Sequence, residues 1–289
     1  MQIEDRIRAL PLWRGELRLA RLGGGITNVN YLAEDRLRRA VVRVGDDIPV
    51  HGILRFNELA ASLAAQAAGI SPAVLAHEPG LLVIDFIEGR TMTAEDLRQD
   101  DLLDQALDLV IRTHRDLPRF LRGASLTFWV FQVLRDYAAT LRDGASRHLD
   151  RLPGLMEEAR ELEAAVGRIE MVFGHNDLLP ANFLADAQRM WLVDWDYAGW
   201  GSPLFDLGGL AANNGLSDTQ EERLLTRYFG GLDRDLMRRY RAMKAAAALR
   251  ETMWSMVSEI HSELDFDYAA YTAANLHTYG QALDAFRHI

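Results

Sequence analysis

One polar stretch between apolar segments constrains this chain more than any other feature. Its two parts, FGHNDLLPANFL and WLVDWD, cover residues 173–184 and 191–196. Together they hold four polar residues at fixed spacing, namely His175, Asp177, Asn182 and Asp194. The apolar run just before the last of these is typical of a short strand that carries the Asp at its end. A polar turn explains any one of the four, because Asp and Asn tolerate turn geometry, but it does not explain the whole set.

These residue types are the ones that phosphoryl transfer requires. A carboxylate accepts the proton of the attacked hydroxyl, and carboxylate and amide oxygens hold Mg²⁺ against the phosphates. Asp177 suits the first task, and Asn182 and Asp194 suit the second. The spacing H-x-D-x-x-x-x-N, followed by apolar residues and Asp, is also that of a kinase catalytic loop and its metal-binding Asp. The stretch therefore predicts a kinase that uses ATP and Mg²⁺.

Composition limits the remaining possibilities. The chain of 289 residues is long enough for one large domain or two smaller ones, and 49% hydrophobic with 26% charged residues is typical of a soluble globular protein. We find no apolar run near the roughly 20 residues of a membrane span and no secretory signal. The absence of cysteine excludes disulfides and fits a cytoplasmic location. The net charge of -10 argues against nucleic-acid binding and is compatible with a cationic small substrate.

The N-terminal part predicts a small antiparallel sheet. Apolar patterning predicts five strands, at residues 16–22, 29–33, 40–44, 72–76 and 80–87. The first two are joined by the glycine-rich sequence GGGITN at residues 23–28. Glycines let backbone N–H groups approach phosphates closely, although a flexible hairpin turn is an equally valid interpretation of this segment alone.

A charged residue in the third strand needs a partner. Arg43 lies among valines there, and a charge in such a position is costly unless it is paired. Residues 56–68 form a strong helix pattern that ends at Gly69, and Glu58 near its start is the candidate partner. A strand cation paired with a helix Glu is the arrangement found in kinases. The alternative is a surface Arg with an unrelated Glu.

The chain turns mainly helical after a break at residues 88–90. Helical patterns are predicted at residues 94–97, 102–117, 128–141, 155–166, 221–229, 236–260 and 268–286, with another that begins at residue 204. We therefore predict an α+β, bilobal, protein-kinase-like fold. A small antiparallel β lobe with one helix, residues 1–87, would bind nucleotide. A large, mainly helical lobe, residues 88–289, would carry the catalytic and substrate-binding groups.

Two further polar residues lie in these helices. His114 is expected to be a packed helix residue rather than a ligand, because a lone His on a helix is usually a core residue. Asp206 follows the catalytic stretch and begins a helix. We expect it to accept hydrogen bonds from backbone N–H groups of the catalytic loop; a helix N-terminal acid favoured by the dipole is the alternative.

Taken in order, the motifs resemble those of the choline/ethanolamine kinases, a branch of the aminoglycoside-phosphotransferase-like kinases. The resemblance covers nearly the whole chain, and the segments that carry it are residues 23–28, 42–44, 58, 86–90, 175–182, 193–198, 205–208, 254–255 and 265–271. Arg rather than Lys in the third strand is itself typical of choline kinases. The superfamily match is highly specific, and the match to the choline branch is less complete.

The resemblance implies a role for each matched residue. Asp177 would be the base, Asn182 and Asp194 the Mg²⁺ ligands, and His175 would brace the catalytic loop. The other nucleotide-site residues would be Gly24, Gly25, Thr27 and Asn28 over the phosphates, Arg43 with Glu58 as the phosphate-positioning pair, and Asp85 and Ile87 beside adenine.

The substrate site follows from the C-terminal motifs. A quaternary ammonium cannot donate hydrogen bonds, so proteins hold it with aromatic faces and acidic groups. Trp254 and Tyr271 match family positions that line the choline pocket, and Tyr197 follows the metal-binding strand toward the same cleft. Glu251 stands where familiar choline kinases carry a second Trp, and Asn213 stands near a family acid. Glu251 would supply negative charge and favour an amine that donates hydrogen bonds.

The predicted function is therefore phosphorylation of the hydroxyl of a small amino alcohol, with choline favoured and ethanolamine close behind. Thiamine, a sugar or an aminoglycoside-type antibiotic is the alternative acceptor. A kinase-like binding protein without activity is less favoured, since Asp177, Asn182 and Asp194 are all retained. The expected partner is the small substrate, with no nucleic acid and no membrane, and the oligomeric state stays open.

Overall fold

The computed structural model describes residues 2–23, 28–262 and 264–288. Gly24, Gly25 and Thr27, which were predicted to cover the phosphates, lie outside the described residues. The remaining candidate residues all lie within them.

A five-stranded antiparallel sheet forms the N-terminal part, as predicted. Its strands are β1 (Arg18–Leu22), β2 (Val29–Glu34), β3 (Arg39–Val44), β4 (Val74–Glu78) and β5 (Leu81–Asp85). Their spatial order is β1-β2-β3-β5-β4, so the first three strands make the expected meander. The register pairs Arg43 of β3 with Leu82 of β5, which places the charged side chain in the middle of the sheet.

Two helices pack beside this sheet. Helix α1 (Ile3–Ala9) places Ile7 in a small apolar cluster with Val42 and Val83 of the strands. Helix α2 (Arg55–Ala67) contributes its buried alanines to the larger core of the molecule instead. It ends where Gly69 adopts a positive φ of +66°, a conformation that glycine reaches without steric cost.

The remainder is mainly helical. Its helices are α3 (Ala94–Leu97), α4 (Asp100–Arg115), α5 (Val130–Asp143), α6 (Leu152–Val166), α7 (Pro203–Asn214), α8 (Asp218–Phe229), α9 (Arg234–His261) and α10 (Tyr268–Arg287). Short strands lie among them, namely β6 (Arg90–Thr91), β7 (Val172–Gly174), β8 (Phe183–Ala185), β9 (Met190–Leu192) and β10 (Gly199–Gly201). Apart from β9, these strands were not predicted, because two or three residues show no periodicity.

Helix α9 is the centre of the helical part, and α5, α6, α7 and α10 all pack against it. Its alanine run, residues 245–248, is buried and allows close approach. At the contact with α7, a Cβ on Gly208 would lie 2.9 Å from the Cα atom of Lys244. Only glycine fits there, and the contact fixes the helix that carries Asp206.

The chain leaves the first sheet near the expected break. Strand β5 ends at Asp85, and β6 pairs with β8 of the helical part. The overall fold is therefore the predicted α+β, protein-kinase-like one. A division between residues 87 and 88 stays our proposal. In the part of the chain that the structure describes, no helix is long and apolar enough to cross a membrane.

Candidate active site

Asp206 holds the catalytic loop in shape. The loop follows β7, and Asn176 within it adopts a positive φ of +63°. The buried carboxylate of Asp206 accepts hydrogen bonds from the backbone N–H of His175 at 2.8 Å and of Asn176 at 2.7 Å. The predicted contact between this acid and the loop backbone is confirmed.

His114 adds a third hydrogen bond to the same carboxylate. Its Nε2 lies 2.8 Å from Oδ2 of Asp206, and its Nδ1 lies 2.7 Å from the hydroxyl of Tyr228. Burial alone would raise the pKa of Asp206, but the bonds from His114 and the loop hold that pKa below its ordinary value. His114 is a packed helix residue, as expected, but no sequence pattern indicated its contact with Asp206, which lies 92 residues away.

His175 connects the catalytic loop to the end of β9. Its ring is fully buried and packs against Trp195, with centroids 4.7 Å apart. Its Nε2 lies 3.0 Å from the carbonyl oxygen of Val193. Its Nδ1 accepts from the backbone N–H of Asp177 at 3.3 Å, so the proton lies on Nε2, which donates to that carbonyl. Burial lowers the pKa of His175. This geometry supports the bracing role.

Asp177 lies at the centre of the loop, half-buried. The side-chain nitrogen of Asn182 donates to its backbone carbonyl at 2.8 Å, which fixes the two residues relative to each other. Burial raises the pKa of the Asp177 carboxyl to about 8; Glu251 acts in the same direction and Arg250 opposes it. In its ionised form, a carboxylate with such a pKa is a stronger base than an exposed Asp.

Asn182 and Asp194 form the candidate magnesium site. The backbone N–H of Val193 donates to the carbonyl of Asn182 at 3.0 Å, which brings the two segments together. Asp194 adopts a positive φ of +72°, which Asp tolerates better than most residues, and its side chain is partly exposed. The side-chain nitrogen of Asn182 donates a hydrogen bond to the backbone carbonyl of Asp177. The side-chain oxygen of Asn182 therefore points away from that carbonyl.

This donor set suits Mg²⁺ with a bound nucleotide. Among residues 2–23, 28–262 and 264–288, no group of three or more His, Asp or Glu side chains is arranged to hold a metal. Mg²⁺ is commonly bound by one or two carboxylates together with substrate phosphates, so fewer protein ligands suffice.

The predicted pair of Arg43 and Glu58 is confirmed as part of a larger cluster. Nε of Arg43 lies 3.2 Å from Oε1 of Glu58, and both side chains are buried. The same guanidinium reaches Asp194 at 2.9 Å and Asp196 at 3.3 Å. Arg55 adds a second cation, 2.7 Å from Glu58 and 2.8 Å from Asp196.

Charge balance explains the pKa values in this cluster. Burial raises the pKa of Glu58 above its ordinary value. Burial would also raise that of Asp196, but Arg43 and Arg55 hold it below its ordinary value. Sequence reasoning missed Arg55 and Asp196. Arg55 begins α2 next to Phe56, which is exposed, so its position gave no sign of burial.

Asn28 joins this cluster from the far end of the glycine-rich turn. Its side-chain nitrogen donates to Asp196 at 3.0 Å, and its oxygen accepts from Arg55 at 2.7 Å. These contacts anchor the end of the turn next to the candidate metal site. A contact between Asn28 and phosphate stays a prediction.

One cavity of about 460 Å³ brings most of the candidate residues together. The candidates that line it are Arg43, Asp85, Ile87, Asp177, Asn182, Asp194, Tyr197, Glu251 and Trp254. Asp85 ends β5 and Trp254 lies on α9, so both parts of the fold contribute. Asp196 and Arg250 line it as well, and neither was assigned a role from the sequence.

The predicted substrate residues are joined by hydrogen bonds. The indole N–H of Trp254 donates to the hydroxyl of Tyr197 at 2.8 Å, and the hydroxyl of Tyr271 donates to Glu251 at 2.7 Å. Tyr271 is not among the described residues that line the cavity, and it supports Glu251 from behind. Glu251 also forms an ion pair with Arg250 at 2.9 Å. Like Arg43 in its strand, Arg250 is a charged residue within an apolar segment, and such a position indicates a buried charge that needs a partner.

Comparison with known proteins agrees with this geometry. The chain belongs to the phosphotransferase enzyme family, whose profile matches residues 18–244. The protein is accordingly a phosphotransferase with an alcohol group as acceptor.

Three similar proteins are named as kinases or kinase family members for choline or ethanolamine. A choline/ethanolamine kinase family protein from Mesorhizobium loti has a solved structure, is 27% identical, covers 100% of both chains and superimposes with a TM-score of 0.76. The choline kinase LicA from Streptococcus pneumoniae is 20% identical, with coverage of 96% of this chain and 98% of its own and a TM-score of 0.76. A probable ethanolamine kinase A from Dictyostelium discoideum is 24% identical over 94% of this chain and 87% of its own length.

Proposed function

We propose that the protein transfers the γ-phosphoryl group of ATP, with Mg²⁺, to the hydroxyl of a small amino alcohol of the choline and ethanolamine class. The observation that carries the proposal is the single cavity that Asp177, Asn182 and Asp194 share with Tyr197 and Trp254. A proton acceptor, metal ligands and aromatic rings suited to a cation therefore face one space. The resemblance to choline and ethanolamine kinases points to the same class.

The chemistry assigned to Asp177 is proton acceptance. Its carboxylate takes the proton of the acceptor hydroxyl, the oxygen forms a bond to the γ-phosphorus, and the bond to the β-phosphate oxygen breaks to release ADP. The raised pKa of about 8 keeps the group basic enough to accept that proton. Asn182 sets its position through the 2.8 Å bond to its carbonyl.

The nucleotide would lie against the N-terminal sheet. Asp85 and Ile87 line the cavity and are proposed to flank adenine, while Arg43, oriented by Glu58, is proposed to contact phosphate. Asn182 and Asp194 would hold Mg²⁺, which supplies neutralisation of the phosphate charge when bound.

The test is a substrate panel with a mutational control. Purified protein is assayed by ADP release with choline, ethanolamine, thiamine, sugars and aminoglycosides. We expect turnover with the amino alcohols and a loss of roughly 10²–10⁴-fold in kcat for Asp177→Asn, with little change in the KM for ATP. Turnover with thiamine, sugars or antibiotics alone would overturn the acceptor class. An Asp177→Asn rate within about tenfold of wild type would overturn the assignment of the base.

A further inference from the structure

A chain of side chains builds the wall of the cavity next to Asp177. Tyr271 donates to Oε1 of Glu251 at 2.7 Å, and Nη1 of Arg250 donates to Oε2 at 2.9 Å. The guanidinium carbon of Arg250 lies 4.2 Å from the ring centroid of Tyr197, whose hydroxyl accepts from Trp254 at 2.8 Å. Each side chain thus orients the next, and the carboxylate of Glu251 is held in one position.

Other side chains of the protein already cover part of the aromatic surface of this wall. Arg250 covers one face of the Tyr197 ring. The imidazole of His51 stacks on Trp254 with centroids 5.0 Å apart and an interplanar angle of 29°. A quaternary ammonium is held chiefly by aromatic faces within about 6 Å, and each of these two rings has at most one face left for a ligand.

The negative charge of Glu251 is also partly neutralised by a neighbouring side chain. Arg250 is buried, with 4% of its side chain exposed, and forms an ion pair with Glu251. A cationic ligand near this wall therefore meets a carboxylate and a guanidinium of opposite charge, whose long-range effects largely cancel. Coulomb attraction would not separate ethanolamine from choline in any case, because both carry one positive charge.

Hydrogen bonding does separate them. An ionised carboxylate offers roughly four acceptor positions, and the bonds from Arg250 and Tyr271 occupy two of these. The side chain of Glu251 is 20% exposed and lines the cavity, so it can accept from a ligand. An ammonium with an N–H can use that acceptor, whereas a trimethylammonium cannot and would leave the carboxylate facing methyl groups.

We propose that Glu251, held by Arg250 and Tyr271, determines amine specificity and selects an ammonium group with at least one N–H over a quaternary one. This inference rests on the amino-alcohol kinase function proposed above. Glu251 contacts the substrate, whereas Arg250 acts through Glu251 and is a positioning residue.

The test is a substrate series that changes one methyl at a time. The kcat/KM is measured for ethanolamine, N-methylethanolamine, N,N-dimethylethanolamine and choline. A hydrogen bond to a charged group is worth roughly ten- to hundredfold in affinity. We expect the largest loss, tenfold or more, at the last step, where the final N–H disappears. A pocket that discriminates by size alone would show similar changes at each step.

Variants assign the effect to Glu251. Glu251→Leu should lower the preference for N,N-dimethylethanolamine over choline at least tenfold, and Glu251→Gln, which keeps an acceptor oxygen, should lower it less. The double variant Arg250→Met with Glu251→Leu removes both charges, so it tests the same effect without an unpaired buried cation. Glu222→Leu on an exposed position of α8 is the matched control and should retain the full preference.

The outcomes separate the two proposals. If choline matches or exceeds N,N-dimethylethanolamine with wild-type protein, the specificity inference is wrong while the amino-alcohol kinase function stands. The same conclusion follows if both variants that carry Glu251→Leu keep the wild-type preference. If none of the four amines is phosphorylated but another hydroxyl compound is, both proposals fail together. Since the wild-type series needs no variant, a misfolded mutant cannot leave the question undecided.

Discussion

Replacing Asp206 by Asn provides a stringent test of the catalytic-loop geometry. The carboxylate uses Oδ1 for the backbone N–H of Asn176 and Oδ2 for that of His175 and for Nε2 of His114. An amide has one acceptor oxygen. Whichever way it is turned, its NH₂ group faces a backbone N–H that then has no acceptor.

The expected magnitude follows from that count. A buried donor without a partner costs about 1–3 kcal/mol, so Asp206→Asn should lower the free energy of unfolding by that amount. Asp206→Ala removes all three acceptor contacts and should cost about 3–5 kcal/mol, as for other broken buried charge interactions. Because the loop that carries Asp177 then shifts, kcat should fall roughly 10²-fold in the Asn variant.

The assays are urea unfolding followed by circular dichroism and steady-state kinetics. Asp233→Asn is the matched control. Asp233 caps α9 and accepts from the backbone N–H of Leu236 at 2.8 Å in an exposed position, so its change should cost at most about 1 kcal/mol. An Asp206→Asn protein within about 0.5 kcal/mol of wild type, with unchanged kcat, would refute the view that this carboxylate holds the loop.

Two further predictions concern pH and packing. Burial lowers the pKa of His51 to about 3, whereas the unfolded chain binds that proton near pH 6.5, so stability should fall as the pH decreases between these values. His51→Phe should remove up to about 1.4 kcal/mol per pH unit of that dependence in urea unfolding at pH 6.5 to 4.5, and an unchanged slope would contradict it. A Cβ on Gly201 would lie 2.4 Å from the carbonyl oxygen of Phe128. Gly201→Ala should therefore lower stability by about 1–3 kcal/mol in thermal unfolding, whereas Gly231→Ala, which meets nothing within 4 Å, should not; equal melting temperatures would argue against the close contact.

The sequence alone was sufficient for the fold class and for the order of its main elements. Long helices and five-residue strands repeat their apolar positions often enough to be recognised, so the meander and the helical part were predicted correctly. Sequence patterns did not predict the short strands β6, β7, β8 and β10. These strands form by pairing with distant segments, which no local pattern indicates.

Charges in apolar surroundings were the most informative local signal for the site. Arg43 in a run of valines predicted a partner, and Glu58 is that partner at 3.2 Å. The same reasoning applied to Arg250, which lies in the apolar middle of α9, would have indicated its burial. Arg55 offered no such signal, because it begins α2 next to the exposed Phe56 and is partly buried by contacts that include Glu58, Asn28 and Asp196.

What the sequence determined was the proposed chemistry, since residue types at fixed spacing in one loop predict a proton acceptor and metal ligands without reference to distant parts of the chain. What only the tertiary structure decided was the environment of those groups. The pKa of Asp177 depends on its burial and on side chains of α9, far away in the sequence. Likewise, Glu251 is an acceptor shaped by Arg250 and Tyr271 rather than a bare charge, because hydrogen bonds across the packed helices α9 and α10 determine which of its oxygens remain available.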